Sequence, residues 1–334
     1  MSSRALDSFV ANKRALYSLY CLLFLCVCCL FAPFLANDKP LVLSYKGELY
    51  FPILKFYPES TFGGEFENET PYKDEDIIKT IQKEGWILFP PIPYSYDTIV
   101  FDVQSPSPAP PSLKNWLGTD DQSRDLLARL LYGVAISLAF GILLTFFSTI
   151  IGVCMGAIMG YFGGKIDLFL QRFVEIYASM PVLYLVIIFS SFVNPNFWWL
   201  LLFMLFFSWV ELVALVRAEF LRARNLDYVR ASKALGASTP RIIFYHILPN
   251  TAPLILSLLP FILSHSIVLL TSLDFLGFGL PPGSPSLGEI LLQAKENLHA
   301  PWIGITAFIF IAFLLSLLVF VGEGLRDAFD PRLR

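Results

Sequence analysis

Two ionisable side chains interrupt long apolar runs, Glu211 within residues 197–216 and His265 within 251–273. Groups of this kind at membrane depth are candidates for a transport pathway, because an unpaired charge is costly in hydrocarbon. A carboxylate and an imidazole could relay a proton. At ~1.5 Å per residue, Glu211 stands about 9 Å from Arg217, the basic marker of its run, whereas His265 stands about 22 Å beyond Asn250. Those depths predict no direct contact. Glu211 is therefore expected at an inner mouth or against a neighbouring subunit, with a pathway role as the sharper alternative. His265, between Ser264 and Ser266, is expected to pack and hydrogen-bond across helices, with substrate contact on the pathway as the alternative.

Other chemistry is thin. Cys21, Cys26, Cys28 and Cys29 fall in the first apolar run and Cys154 in the second, so no disulfide framework exists in the polar segment between them. Cys26 and Cys28 have no His or further Cys at ligand spacing, which favours apolar packing over a metal. The three histidines, His246, His265 and His299, lie far apart along the chain, and no Ser/His/Asp arrangement can be built from them. Gly163-Gly164-Lys165-Ile166 lacks the spacing and the hydroxyl of a phosphate-binding loop. This chain is expected to bind no metal, to bind no cofactor and to catalyse nothing.

The elements that must carry these residues are membrane spans. The chain has 334 residues, 56% hydrophobic, 16% aromatic and 15% charged, more apolar side chains than one soluble domain buries. Its net charge of -3 and the lack of basic residues interleaved with stacking aromatics leave no footprint for nucleic acid. Apolar stretches long enough for the ~20 residues that cross a bilayer run near 15–36, 134–160, 174–193, 197–216, 251–273 and 302–322. The first lacks a signal-peptide cleavage pattern at Phe34-Leu35-Ala36-Asn37 and is expected to stay as a helix. Lys and Arg concentrate before span one, between spans two and three, between four and five, and after six. That distribution predicts both termini in the cytoplasm.

The segment 37–132 on the other side holds 15 of the 27 acidic residues. Leu49–Leu54 and Gly85–Phe89 read as short strands of a small mixed subdomain, 37–115, and Ser105–Pro111 as a stiff connector. Thr119 with Gln122 reads as a capping box opening an interfacial helix within 116–132. Ser286 with Glu289 reads as a second box. The helix it opens, carrying Leu287, Ile290, Leu291, Ala294 and Leu298, is expected at the outer mouth within 274–301, as a gate or a lid.

Between spans four and five, within 218–250, the sequence runs Asp227-Tyr228-Val229-Arg230-Ala231-Ser232-Lys233-Ala234-Leu235-Gly236, continues through Thr239-Pro240-Arg241-Ile242, and ends at His246-Ile247-Leu248-Pro249. Two short helices with a sharp corner are predicted. Gly236 suits the left-handed position that ends the first, Thr239 caps the second with Pro240 at its first position, and Pro249 stops it. Small residues Ala231, Ser232, Ala234 and Ala237 leave the first helix slim enough to enter a groove on another protein.

This stretch resembles the EAA coupling loop of ABC importer permeases. Ala231, Gly236, Leu248 and Pro249 match in register, while Arg230 stands for the motif's Glu, Ser232 for its second Ala and His246 for its Ile. Leu117-Gly118-Thr119-Asp120, Leu273-Asp274-Phe275-Leu276-Gly277-Phe278-Gly279 and the Asp330-Pro331-Arg332 ending are similar to the dipeptide and oligopeptide permeases. Ala36-Asn37-Asp38-Lys39-Pro40, Tyr50-Phe51-Pro52 and Phe62-Gly63-Gly64 resemble the Yej-type branch, associated with oligopeptide and microcin C uptake.

The resemblance implies an all-α polytopic protein of the bacterial inner membrane. It has six transmembrane helices of the type I importer fold, a core at 133–323 and a cytoplasmic tail at 324–334. It also implies a second permease subunit, an ABC ATPase with two nucleotide-binding domains that uses ATP and Mg, and a periplasmic peptide-binding protein. In such permeases the loop carrying Tyr228, Arg230, Leu235 and Ile242 docks in the ATPase. Two other classes stay open at this point: an ion-coupled secondary transporter, and a non-transporting receptor or scaffold.

Overall fold

The computed structural model describes residues 3–64, 66–101 and 106–329. Ser105 of the connector and the Asp330-Pro331-Arg332 ending lie outside them. In chain order the structure runs α1 (Ser3–Ala11), α2 (Lys13–Leu30), α3 (Ala32–Leu35), β1 (Val42–Tyr45), β2 (Glu48–Tyr50), α4 (Glu75–Glu84), β3 (Gly85–Leu88), α5 (Leu126–Phe162), α6 (Gly164–Ala178), α7 (Val182–Ser190), α8 (Phe197–Ser208), α9 (Val210–Ala223), α10 (Asp227–Ala234), α11 (Thr239–Arg241), α12 (Leu248–Phe275), α13 (Leu287–Glu296) and α14 (Pro301–Phe329).

Five helical stretches are long and apolar enough to cross a membrane, and a sixth if the pair α6 and α7, bent by 61°, is one span. Pro181 accounts for that bend. It restricts Met180 away from helical backbone, so the helix ends at Ala178 and restarts at Val182.

Two compact units make up the chain. One comprises Met1–Leu23, Leu138–Pro281 and Ala312–Arg334. Its core joins Phe140 and Leu144 of α5, Val186 of α7, Leu200, Leu201 and Met204 of α8, and Leu270 and Leu273 of α12. A second cluster joins Val216 and Phe220 of α9 to Val229, Ile242 and Ile247. A glycine stripe brings α5 and α9 together. A Cβ added at Gly152 would lie 2.7 Å from the Trp209 carbonyl oxygen, one at Gly156 2.7 Å from Val216 Cβ, and one at Gly160 2.4 Å from Phe220 Cβ. Only residues without side chains let the two backbones approach this closely.

The other unit comprises Phe24–Ser137 and Pro282–Ile311. It contains an antiparallel sheet of order β2-β1-β3, with Ser44 opposite Leu49 on one side and Trp86 on the other. Lys46 and Gly47, both at positive φ (52° and 85°), form the tight turn between β1 and β2. Asp74 caps α4 by accepting from the Asp76 N–H at 2.9 Å, and Ile77 and Ile81 of that helix pack on Leu43, Tyr45, Phe62 and Tyr72. Of the two expected strands, Gly85–Phe89 matches β3, whereas Leu49–Leu54 meets β2 only at Leu49 and Tyr50 before the chain turns; the sequence reading does not anticipate β1 or α4.

No separate interfacial helix opens at Thr119. Residues 116–125 are turns and isolated bridges, with Thr119 paired to Asp125 and Arg124 to Ile99, and α5 starts at Leu126 and runs unbroken into the span. Thr119 Oγ1 is spent on the connector, accepting from the Ala109 N–H at 2.9 Å, while the Thr119 N–H donates to the Ala109 carbonyl. The cap is instead Asp125, which accepts from the Ala128 N–H at 2.8 Å. Burial pushes the Asp125 carboxyl up from its usual range, opposed by that hydrogen bond and by one from Asn115.

Candidate functional site

The loop after α9 is built as a projecting corner. The Gly236 N–H donates to the Lys233 carbonyl at 3.0 Å and the Ala237 N–H to the Ser232 carbonyl at 3.1 Å, the paired bonds of a Schellman stop. Gly236 takes the left-handed φ of 81° that this stop needs. Beneath the corner, Val229, Ile242 and Ile247 are buried with Val216, Phe220 and Ala223. Each of the Val, Ile and Phe side chains contributes about 1.5–3 kcal/mol of burial, an upper estimate. Above it, Tyr228, Arg230, Ala231 and Gly236 are exposed, and Leu235 is 89% exposed at the tip. Among the described residues Arg230 makes no ion pair. Ser232, His246 and Leu248 are half-buried and Pro249 is exposed. Ile242 thus supports the corner from within instead of standing on its face.

Two details differ from the sequence reading. Ser238, not Thr239, holds the cap position of α11, without a side-chain hydrogen bond, and Pro240 follows in the first turn. Nor does Pro249 stop the helix. The backbone passes from α11 through a π-helical turn, Ile242–Ile247, into α12, giving one stretch from Thr239 to Phe275. The widened turn gives room for a proline, which lacks an N–H and would clash with the carbonyl four residues back in a regular helix.

Glu211 and His265, expected apart, stand together. His265 Nδ1 is 3.6 Å from Glu211 Oε2, and both side chains are more than half exposed in the chain by itself. Neither residue used to set their depths, Arg217 or Asn250, lies at a helix end. α9 runs on to Ala223, so Glu211 is twelve residues, about 18 Å, from the helix end, and Asn250 lies inside a continuous helix. Arg217 lies inside α9, not at its end. Its guanidinium grips Asp167 of α6 through two bonds, at 2.5 and 2.7 Å.

The Ser286 cap is present, with Ser286 Oγ accepting from the Glu289 N–H at 3.0 Å. The Glu289 carboxylate, however, faces two arginines that the sequence reading passed over. Arg129 Nη2 is 2.9 Å from Glu289 Oε2, and Arg129 Nε is 3.3 Å from Asp120 Oδ2. Arg124 Nε meets the same Asp120 oxygen at 2.7 Å. Arg129 is fully buried and also donates to the carbonyls of Tyr96, Gly283 and Ser284, at 3.2, 3.4 and 3.2 Å. Leu291 and Ala294 are half-buried on α13, and Ala294 lies against Gly304, where an added Cβ would be 3.2 Å away.

A projecting corner anchored from below on apolar spans matches known proteins over its whole surroundings. Residues 152–334 match the family model described as the binding-protein-dependent transport system inner membrane component, and residues 1–47 match the N-terminal TM domain of oligopeptide transport permease C. The chain belongs to this permease family. The "Inner membrane ABC transporter permease protein YejE" of Escherichia coli K12 is 54% identical, covering 97% of this chain and 95% of the relative. The "Peptidoglycan transport system permease protein YejE" of Agrobacterium fabrum is 50% identical, covering 99% and 93%. An inward-facing structure of the MetNI methionine ABC transporter superposes with a TM-score of 0.53 at 19% identity, covering 61% of this chain and 98% of that one, which shows the type I importer fold.

The permease is therefore of the Yej type, a multi-pass inner-membrane ABC subunit for peptides. Its motif residues acquire physical reasons. Asp274 Oδ1 accepts from the Leu280 N–H at 2.7 Å, and a Cβ on Gly279 would lie 1.8 Å from that oxygen. Gly118, at φ 82°, passes so close to the Ala109 carbonyl that an added Cβ would sit 2.5 Å from it. The arginine cluster has a weak sequence signal, two arginines and three aspartates within 120–129 next to an apolar run, but Asp120 and Arg124 lie in the non-helical segment ahead of α5 and Arg129 in its first turn, so no helical spacing links them.

Proposed function

We propose that this permease is one of two membrane subunits of an ATP-driven importer that moves oligopeptides, including microcin C-like peptides, inward by alternating access. The 227–249 loop is its coupling element, docking in a partner ATPase that hydrolyses ATP with Mg. A periplasmic binding protein delivers substrate to the other side. Both termini lie in the cytoplasm and the sheet-bearing insertion in the periplasm. Arg222, Arg230, Lys233 and Arg241 crowd the coupling loop, as basic residues of a cytoplasmic loop do, while Arg124 and Arg129 are buried against carboxylates.

The observation that carries this reading is the rigid corner: an exposed Leu235 and Arg230 held by a Schellman stop over buried Val229 and Ile242. A soluble motor that moved such a corner would move α9 and α12 with it. Peptidoglycan-derived peptides are a second substrate class, on the strength of the name of the Agrobacterium relative. The test is purification of the intact complex and peptide uptake into proteoliposomes. ATP-dependent uptake with the ATPase copurifying is expected. Uptake driven by a proton or sodium gradient without ATP would replace this reading with a secondary transporter.

A further inference from the structure

We propose that Glu211, with His265 beside it, is a station for the α-ammonium group of a peptide in transit. The proposal rests on the peptide-importer reading above and names what the pathway holds.

Glu211 makes no hydrogen bond among the described residues, and its distance of 3.6 Å from His265 leaves its oxygens able to accept from another donor. The other basic group nearby on α9, Arg217, is committed to Asp167. Glu211 and His265 are 54% and 64% exposed within long, largely apolar helices, where Ser208, Ser264 and Ser266 are the adjoining polar side chains. Charged groups in spanning helices face water or protein in preference to acyl chains. The exposed stripe they share continues through Ala214 and Ala218 on α9, and through Val268 and Ser272 on α12. These side chains are small or short, so the stripe leaves room in front of the carboxylate.

A carboxylate backed by an imidazole attracts a primary ammonium and repels a carboxylate. Every unblocked peptide carries one α-ammonium whatever its side chains, so a single fixed carboxylate suits a permease that accepts varied sequences. The same chemistry sets polarity, holding the amino end of the peptide at Glu211 while the carboxyl end points away. A charge-assisted hydrogen bond of this type accounts for about a 10-fold change in apparent affinity or more.

The test compares one tripeptide with its N-acetylated form, each carried by wild-type, Glu211→Gln and Glu211→Asp complexes in proteoliposomes. Comparing the variants' ratios removes any preference of the binding protein, which they leave untouched. Glu211→Gln is expected to raise the uptake KM of the free peptide about 10-fold, with the acetylated peptide unchanged and Glu211→Asp retaining most of the discrimination. Equal effects on both peptides, or none on either, overturn the proposal. So does loss of the partner subunit on purification of Glu211→Gln, which would assign the carboxylate to a cation of that partner. If the wild-type complex takes up neither peptide with ATP, the importer reading itself falls, a result distinct from all of these.

Discussion

Arg129→Met is expected to unfasten α13 without unfolding the chain. The wild-type cluster is neutral: Arg124 and Arg129 balance Asp120 and Glu289. Methionine fills similar volume but leaves one net negative charge in a buried site and removes the donor from the Tyr96, Gly283 and Ser284 carbonyls. Removing one member of a buried pair costs about 3–5 kcal/mol. Glu289 is 18% exposed and regains some water, so the lower figure of ~3 kcal/mol applies. In the wild type, opening α13 forfeits its contacts to Arg129; in the variant there is nothing left there to lose. Amide hydrogen exchange at Ile290–Gln293 in the detergent-solubilised complex should therefore speed up roughly 100-fold. Arg129→Met with Glu289→Met restores neutrality and should recover most of the protection. Arg129→Lys should fall between, because an ammonium cannot span two carboxylates and three carbonyls as the planar fork does. Exchange within about 3-fold of wild type in Arg129→Met would refute the account of Arg129 as the fastening of α13.

Gly156→Leu drives a side chain into Val216 and the Val213 carbonyl, contacts of 2.7 and 2.9 Å already at Cβ. Since backbone cannot yield as a flexible side chain can, a loss above the ~1–3 kcal/mol of ordinary overpacking is expected, read as a collapse in folded yield, with Gly156→Ala intermediate; wild-type yield for the leucine variant would count against the α5–α9 contact. Arg230→Glu, at an exposed position without an ion pair among the described residues, should change thermal stability by less than about 0.5 kcal/mol yet uncouple ATP hydrolysis from peptide uptake. Substrate-stimulated hydrolysis and uptake at wild-type levels would remove Arg230 from the docking surface.

How far the fold could be read from sequence depended on whether the signal was local. The spans, the Ser286 cap and the Gly236 corner each rest on a few consecutive residues: an apolar run, a hydroxyl three before an amide, a residue free to take positive φ. The cap and the corner stand in the structure, and the apolar runs appear as five helical stretches, with the third run, 174–193, split by the bend between α6 and α7. The misreadings occurred where the surrounding backbone removed the basis of a local signal. Thr119 has the right spacing for a capping box, but its hydroxyl and amide go to Ala109 across a turn. Pro249 is a helix stop by rule, and the preceding π turn removes the clash on which the rule depends.

Charge was the hardest feature to interpret, because a sequence shows a side chain's type and not its partner. Arg217 looks like a membrane-edge residue, and using it and Asn250 as depth marks separates Glu211 from His265. In the structure Arg217 is consumed by Asp167, the helix extends beyond it, and Glu211 and His265 share one level. Arg124 and Arg129 are likewise neutralised in a buried cluster, so they hold α13 in place instead of marking a surface. Of these charges, Glu211 alone keeps a weakly engaged carboxylate on an exposed face of the spans. A pathway that carries charged peptides needs such a group, which is why the functional reading falls on Glu211 and the structural reading on the arginines.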